Sequence, residues 1–157
     1  MVGAIRASRA PNLFLLQYSL PFTALDLVLL PRHFLVEPIV IKRRPLSAGA
    51  RRAGWIGCNL DLKLLPRSAF VQYVTGGAVE SKRTVMESWA AVAAIAQVSS
   101  ADRRGWLTVT LALIDRIGRQ EFSLGDVYSY EPLLARLFPG NRNIRPDVIP
   151  GFSSSSI

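Results

Sequence analysis

Five cations, Lys42, Arg43, Arg44, Arg51 and Arg52, fall within eleven residues of "KRRPLSAGARRAGWIGCNL". No carboxylate interrupts them. Guanidinium and ammonium groups spaced in this way suit contact with a run of phosphates, each contact releasing condensed counterions. A solvated loop edge would have the same composition, and residue types alone leave both readings open. Further on, Asp61, Leu62 and Lys63 form a triplet with the residue types of metal-dependent phosphodiester hydrolysis. In that chemistry carboxylates hold Mg²⁺ and a lysine stands near the attacking water. Asp26 is the carboxylate that could partner the triplet. Strand faces of period two produce such triplets by chance, so no catalytic residue and no metal ligand is assigned. His33 has no Asp, Ser or Cys arrangement around it and is given no catalytic role. Cys58 is the one cysteine, which excludes an internal disulfide and a four-cysteine zinc site. Its apolar neighbours make it a small buried residue.

The elements that must position these residues come in two styles. A chain of 157 residues, half of them apolar, suits one ordinary domain or two small ones. From Leu13 to about Val74 the apolar residues form short runs broken by proline and glycine: "LFLLQY", "LDLVLL", "FLVEPIVI", "GWIGCNLDL" and "AFVQYV". These are strand lengths, and "TGG" is a turn. From Glu80 to Val98 the period changes, with Val85, Trp89, Val92 and Ala96 on one helical face. "SSADRRG" reads as a linker. A second helix is expected from Trp106 to about Ile117, stopped by Gly118. Ser123 and Asp126 have the spacing of a weak capping box, ahead of a stripe of Val127, Tyr130, Leu134 and Leu137 interrupted by Pro132. Asn143 is placed to cap a third helix starting near Ile144. This order is that of the front of a helix-turn-helix domain. Trp55, Trp89 and Trp106 all fall on apolar stripes and are expected in the core.

The charge points to partners. The chain is +8 with pI near 10.6, which raises nucleic acid first and an anionic membrane surface second as acidic partners. Residues 1–98 hold twelve Lys and Arg against five Asp and Glu, a net +7; residues 99–157 hold seven against six, a net +1. The apolar segment at residues 13–30 carries Gln17, Pro21 and Asp26, which argues against a membrane span. There is no short apolar core followed by a small-residue cleavage site. A soluble protein of the cytoplasm, without membrane attachment, is the expectation.

At "KRRPLSAGARRAGWIGCNLDLKLLP" the chain resembles the DpnI-type, Dam-replacing family of methyl-directed restriction endonucleases. The family's basic-basic-Pro-Leu-Ser run is similar to Arg43, Arg44, Pro45, Leu46 and Ser47, and its Ala-Arg-Arg-Ala-Gly-Trp followed by Gly-Cys-Asn to residues 50–59. "LFLLQYSL" and "LVLLPRHF" resemble the preceding core strands. "RGWLTVTLALIDRIGRQEFSLGDVYSYEPLLARLFPGNRNIRP" resembles the opening helices of the family's C-terminal winged helix. The resemblance implies an α+β fold: a PD-(D/E)xK nuclease sheet followed by a winged-helix (helix-turn-helix) domain. It implies cleavage of double-stranded DNA at adenine-methylated G-A-T-C with a divalent metal such as Mg²⁺. The family's metal-binding carboxylates, catalytic lysine and zinc cysteines lie upstream of the part seen here. The third helix gives way to "DVIPGFSSSSI", where a wing is due. The expected organisation is an unstructured start over 1–12, the C-terminal portion of the nuclease domain over 13–98, a partial winged helix over 102–146 and a disordered tail over 147–157. A copy truncated or frame-damaged at both ends accounts for this.

Two sets of residues are then the DNA-binding candidates: Lys42, Arg43, Arg44, Arg51 and Arg52, and, at the N-terminal end of the third helix, Arg142, Asn143 and Arg145. That end of such a helix reaches base edges or phosphates; capping by Asn143 beside two exposed arginines is the plainer alternative. Three functions fit. The chain is a catalytically inactive fragment of a restriction endonuclease, with another polypeptide able to supply a nuclease half. It is a weak, non-specific DNA-binding remnant or regulator. Or it is a basic protein, soluble or membrane-peripheral, whose likeness misleads.

Overall fold

The structure, a computed structural model, describes residues 1–145. Helix α1 (Val2–Arg6) leads into a four-stranded antiparallel sheet of β1 (Leu13–Ser19), β2 (Thr23–Leu30), β5 (Val71–Thr75) and β6 (Ala78–Val79). A separate two-stranded sheet pairs β3 (Val40–Lys42) with β4 (Cys58–Leu60). Helices α2 (Lys82–Ala96), α3 (Ala101–Ile117), α4 (Leu124–Tyr128) and α5 (Glu131–Leu137) follow. The molecule is thus mixed α and β, with an N-terminal sheet and a C-terminal helical part of the helix-turn-helix kind.

The sheet is built from the short apolar runs of its sequence. β1 and β2 pair from Leu13 opposite Leu30 to Ser19 opposite Thr23, and β2 continues onto β5 with Leu29 opposite Val71. The β5–β6 turn uses Gly76 and Gly77 at φ +56° and +85°. Two consecutive positive φ values are what a tight hairpin requires, and glycine adopts them without steric cost. The Gly76 N–H donates to Asp26 Oδ1 (3.2 Å) and the Gly77 N–H to the Leu25 carbonyl (2.8 Å), so the turn is tied back to β2.

Between β2 and β5 the chain departs from the strands expected there. "FLVEPIVI" forms two single 3-10 turns, Arg32–Phe34 and Glu37–Ile39, before the short β3. Pro31 and Pro38 explain this, since a proline cannot donate to an inner ladder. The apolar side chains are buried all the same: Phe34, Leu35, Val36 and Ile39 join Leu29, Leu30, Leu64, Leu65 and Val71 in the first core. α2 closes that core with Val92 and Ile95. The buried face is centred on these two residues, and at 100° per residue Trp89 falls about a quarter turn away. Trp89 is 38% exposed, contrary to its expected place in the core.

The first dozen residues, expected to be loose, are ordered by two anchors. Ile5 and Ala10 are buried in the first core. Arg6 holds Glu37 through Nε (2.7 Å) and Nη2 (3.0 Å), a bidentate pair. The linker is shorter than expected, because Ser100 caps α3 by accepting from the Arg103 N–H, and the helix begins five residues before Trp106. Gly118 ends α3 in the left-handed conformation at φ +66°. The expected stripe from Val127 to Leu137 is split in two, with Pro132 at the start of α5, where its missing N–H is harmless. Backbone at Ile144 and Arg145 is helical, and the tail expected over 147–157 lies outside the described residues.

Val109, Leu113, Val127 and Leu134 are fully buried as the second core, with Trp106 packed against them and edge-on to Phe138 at 5.1 Å. α3 docks on the first unit through Gly105. A Cβ there would lie 3.5 Å from Pro38 Cδ and 3.6 Å from Phe138 Cε1, ordinary contact distances. Gly105→Ala is therefore expected to fit and to stabilise the helix by about 0.5–1 kcal/mol, whereas Gly105→Leu would separate α3 from Pro38. Thermal unfolding of the two variants should shift in opposite directions.

α4 begins with a full capping box: Ser123 Oγ accepts from the Asp126 N–H, and Asp126 Oδ2 accepts from the Ser123 N–H at 2.8 Å and from its hydroxyl at 2.8 Å. The bond from the Ser123 backbone, then that from its hydroxyl, hold the Asp126 carboxyl below its ordinary value. A carboxyl lowered on folding stabilises fully above its unfolded value of about 4, and loses that contribution as pH falls through the lowered folded value. NMR titration should show the Asp126 carboxyl moving back up in Ser123→Ala.

Candidate nucleic-acid interface

The five clustered cations stand on one hairpin. β3 and β4 pair with Val40 opposite Leu60, Ile41 opposite Asn59 and Lys42 opposite Cys58. The pairing continues outward through Arg43 N–H to the Gly57 carbonyl (2.9 Å) and Leu46 N–H to the Trp55 carbonyl (3.0 Å). The tip is closed by Ala50 N–H to the Ser47 carbonyl and Trp55 N–H to the Arg52 carbonyl, both 3.0 Å. Pro45 interrupts the ladder, and Gly54 turns the chain at φ +77°. From residue 41 to residue 56 every side chain except that of Ala50 is exposed. Lys42, Arg43, Arg44, Arg51 and Arg52 therefore share a solvent-facing arm without a carboxylate, and Arg51 and Arg52 line a shallow concavity with Leu46.

Trp55 belongs to this arm and not to the core. It is 53% exposed, and no second sheet covers the apolar pair Trp55 and Ile56. Its indole lies over Gly57: a Cβ at residue 57 would come within 3.0 and 3.1 Å of the ring, and 3.5 Å from Arg43 Cδ. The glycine thus leaves the space the ring occupies. Reading the apolar run as a strand missed this. The available signal was the bracketing of Trp55 by Gly54 and Gly57 in a segment rich in arginine. Cys58, at the base of the arm, is half-buried with Sγ 3.5 Å from Met1 Sδ.

The second set of candidates is on the segment after α5. Arg145 Nε pairs with Glu131 Oε2 at 2.9 Å, and its guanidinium lies 5.3 Å from the Tyr128 ring centroid. The side chain that bonds the Asn143 N–H is Asn141 (Oδ1, 2.8 Å), so Asn143 is held in the turn by a neighbour. Arg142 and Asn143 are exposed.

The two acidic candidates are bonded to backbone. Asp61 caps the Leu62–Leu64 turn by accepting from the Lys63 N–H at 3.1 Å, and Asp26 holds the Gly76 N–H. Among the described residues no three His, Cys, Asp or Glu are grouped as metal ligands. Asp26 and Asp61, each bonded to a backbone N–H, are not gathered into a Mg²⁺ site, and no hydrolytic step is derived from them. Among the described residues no helix is long and apolar enough to cross a membrane.

Comparison with protein-family models matches residues 1–98 to the Dam-replacing family and residues 102–149 to the Dam-replacing HTH domain. The boundary between the two matches coincides with the Ser100 cap of α3.

The exposure of Trp55 among cations has an optical consequence. Iodide, drawn in by the local positive potential, should quench it more than Trp106, and added chloride should screen the effect. Trp55→Phe should remove the most quenchable part of the fluorescence; Trp106→Phe should leave it.

Proposed function

The chain belongs to the Dam-replacing family and carries its helix-turn-helix domain, and from that premise we propose that it binds duplex DNA through the hairpin of residues 40–60 and does not cleave it alone. It is a relative of the DpnI-like restriction enzymes. The observation that carries the proposal is the exposed arm with Lys42, Arg43, Arg44, Arg51 and Arg52, no carboxylate, and an outward-facing tryptophan. Cations in this arrangement neutralise phosphates and fix the protein on the duplex without reading sequence. Trp55, half-exposed, is the arm's aromatic element for packing against sugar or base.

Preference for adenine-methylated G-A-T-C is part of this reading through the family resemblance, with the helical part contributing to it. Arg142 and Asn143 are its exposed candidates, whereas Arg145 must first give up Glu131 to reach DNA. Phosphodiester cleavage calls for carboxylates gathered on Mg²⁺, and the Asp26 and Asp61 carboxylates are each committed to a backbone N–H. Carboxylates from outside these residues would have to supply that site.

The test is DNA binding over a range of salt concentrations, with methylated and unmethylated G-A-T-C duplexes and Mg²⁺ present. Neutralising Arg51 and Arg52 together is expected to reduce the slope of log affinity against log salt by about 2, at roughly 0.9 per phosphate. Changing Arg142 should reduce it by less. An unchanged slope would reject the hairpin as the interface. Discrete G-A-T-C fragments that depend on Asp61 would reject the absence of cleavage.

A further inference from the structure

The end of α1, the Arg32–Phe34 turn and the junction between α2 and α3 meet around a cavity of about 100 Å³ lined by Ser8, Ala10, Arg32, His33, Ala96 and Arg104. Two arginines face it and no carboxylate does. Arg104 is only 8% exposed. Its Nη1 donates to the Val98 and Ser99 carbonyls at 2.6 and 2.8 Å, and its Nη2 to Ser8 Oγ at 3.0 Å. These partners are neutral dipoles. The ion pairs formed among the described residues do not include Arg104, so a full positive charge is buried without a counter-charge, an arrangement that is costly unless an anion joins it.

Two further groups point the same way. His33 Nε2 is buried and has no hydrogen-bond partner among the described residues. Burial, with Arg104 and Arg32 adding to it, keeps the imidazole below its ordinary value. Ser8 is held at φ +53°, a conformation uncommon for any residue but glycine, with its hydroxyl on Arg104. Arg104, Arg32, His33 and Ser8 thus line one polar, positively charged cavity.

We propose that this cavity binds one tetrahedral oxyanion of the phosphate class. Arg104 supplies the charge from within, and Arg32, exposed beside it, supplies a second from the mouth. The neutral His33 Nε2 accepts from a protonated phosphate oxygen, and the protonated ring donates to an unprotonated one. The volume holds several waters or a single phosphate group, not a nucleotide. Free inorganic phosphate and the terminal phosphate of a nucleic-acid strand share this chemistry. The anion would bridge α1 to the α2–α3 junction and so fix how the helical part sits on the sheet. The site is separate from the 40–60 hairpin, and the proposal stands whether or not that hairpin binds DNA.

Phosphorus NMR and calorimetry on the full chain, with inorganic phosphate titrated against chloride at equal ionic strength, test it. Saturable one-to-one binding is expected. Arg32→Ala, at an exposed position, and His33→Gln should each weaken binding about tenfold or more, the worth of a hydrogen bond to a charged group. Arg51→Ala with Arg52→Ala should leave it unchanged. Absence of saturable binding would overturn the proposal. So would binding lost with Arg51 and Arg52 but kept in Arg32→Ala and His33→Gln, which would place the phosphate on the hairpin. Competition by a 5′-phosphorylated strand, and not by its unphosphorylated form, identifies a strand terminus as the natural source. Competition by neither leaves free phosphate as the ligand.

Discussion

Helix α3 must be buried on two sides at once, and the rest of the molecule is arranged around that requirement. Leu107 and Leu111 pack against the core formed by the sheet and the 3-10 turns, while Val109 and Leu113 are fully buried in the helical core. An amphipathic helix has one stripe to bury; a helix with two has no free polar face through its middle. This explains why Thr108 and Thr110 are buried there with hydroxyls that lack partners. It also accounts for Gly105, which lies beside both Pro38 and Phe138. Polar bonds then fix the helix end: Arg116 Nη2 to the Lys63 carbonyl and the Arg67 N–H to Asp115 Oδ2, both 2.6 Å. Those two bonds reach backbone groups of the 3-10 turns, groups that a sheet would have satisfied by itself.

The hairpin of residues 40–60 follows the opposite rule. Its outer part buries almost nothing and depends on a few ladder bonds and on the indole of Trp55 lying over Gly57. Burial cannot hold five cations without carboxylates close together; exposure to water can, because their mutual repulsion is screened there. The same repulsion is relieved when phosphates approach, so the arm is at its least favourable in isolation. Another exposed surface has a different character. β1 is an edge strand that shows Phe14, Leu16 and Tyr18 to solvent, with Phe14 edge-on to Tyr73 and Tyr18 stacked on Phe22. An apolar edge with open backbone groups is a pairing hazard unless covered.

Much of the fold was legible because its signals are local. The short apolar runs of β1, β2 and β5, the Gly-Gly turn, the helical period of α2, the Gly118 stop and the Ser123–Asp126 box each involve residues close in sequence. What was not legible depends on distant partners. Residues 1–12 have no period of their own and are ordered by Glu37 and the first core. "FLVEPIVI" has strand composition, yet Pro38 forbids the ladder and burial proceeds through turns. In the candidate site, the grouping of Lys42, Arg43, Arg44, Arg51 and Arg52 could be read from spacing, and the exposure of Trp55 only from the glycines that bracket it; the exposure of Trp89, on α2, had no such local signal. Arg145 looked free because Glu131, fourteen residues earlier, is brought to it only by the fold. Arg104 and His33 were invisible for the same reason: their neighbours come from α1, the Arg32–Phe34 turn and the α2–α3 junction.

The uneven charge bears on how the two parts would divide the work on DNA. Residues 1–98 carry +7 and residues 99–157 only +1. Long-range attraction to a polyanion scales with local charge and is felt over about a Debye length, roughly 8 Å in physiological salt. The helical part alone would be drawn weakly, and one of its arginines is already paired with Glu131 and stacked near Tyr128. On the proposed reading, attraction would come mainly from residues 1–98, and the helical part would act on DNA in the orientation that α3 gives it relative to the sheet. That orientation rests on the Pro38, Lys63 and Arg67 contacts and on Arg104 between α1 and the α2–α3 junction. On the proposed reading, docking a nearly neutral helical part onto a strongly basic one would make affinity and discrimination separable properties, carried by different residues of one short chain.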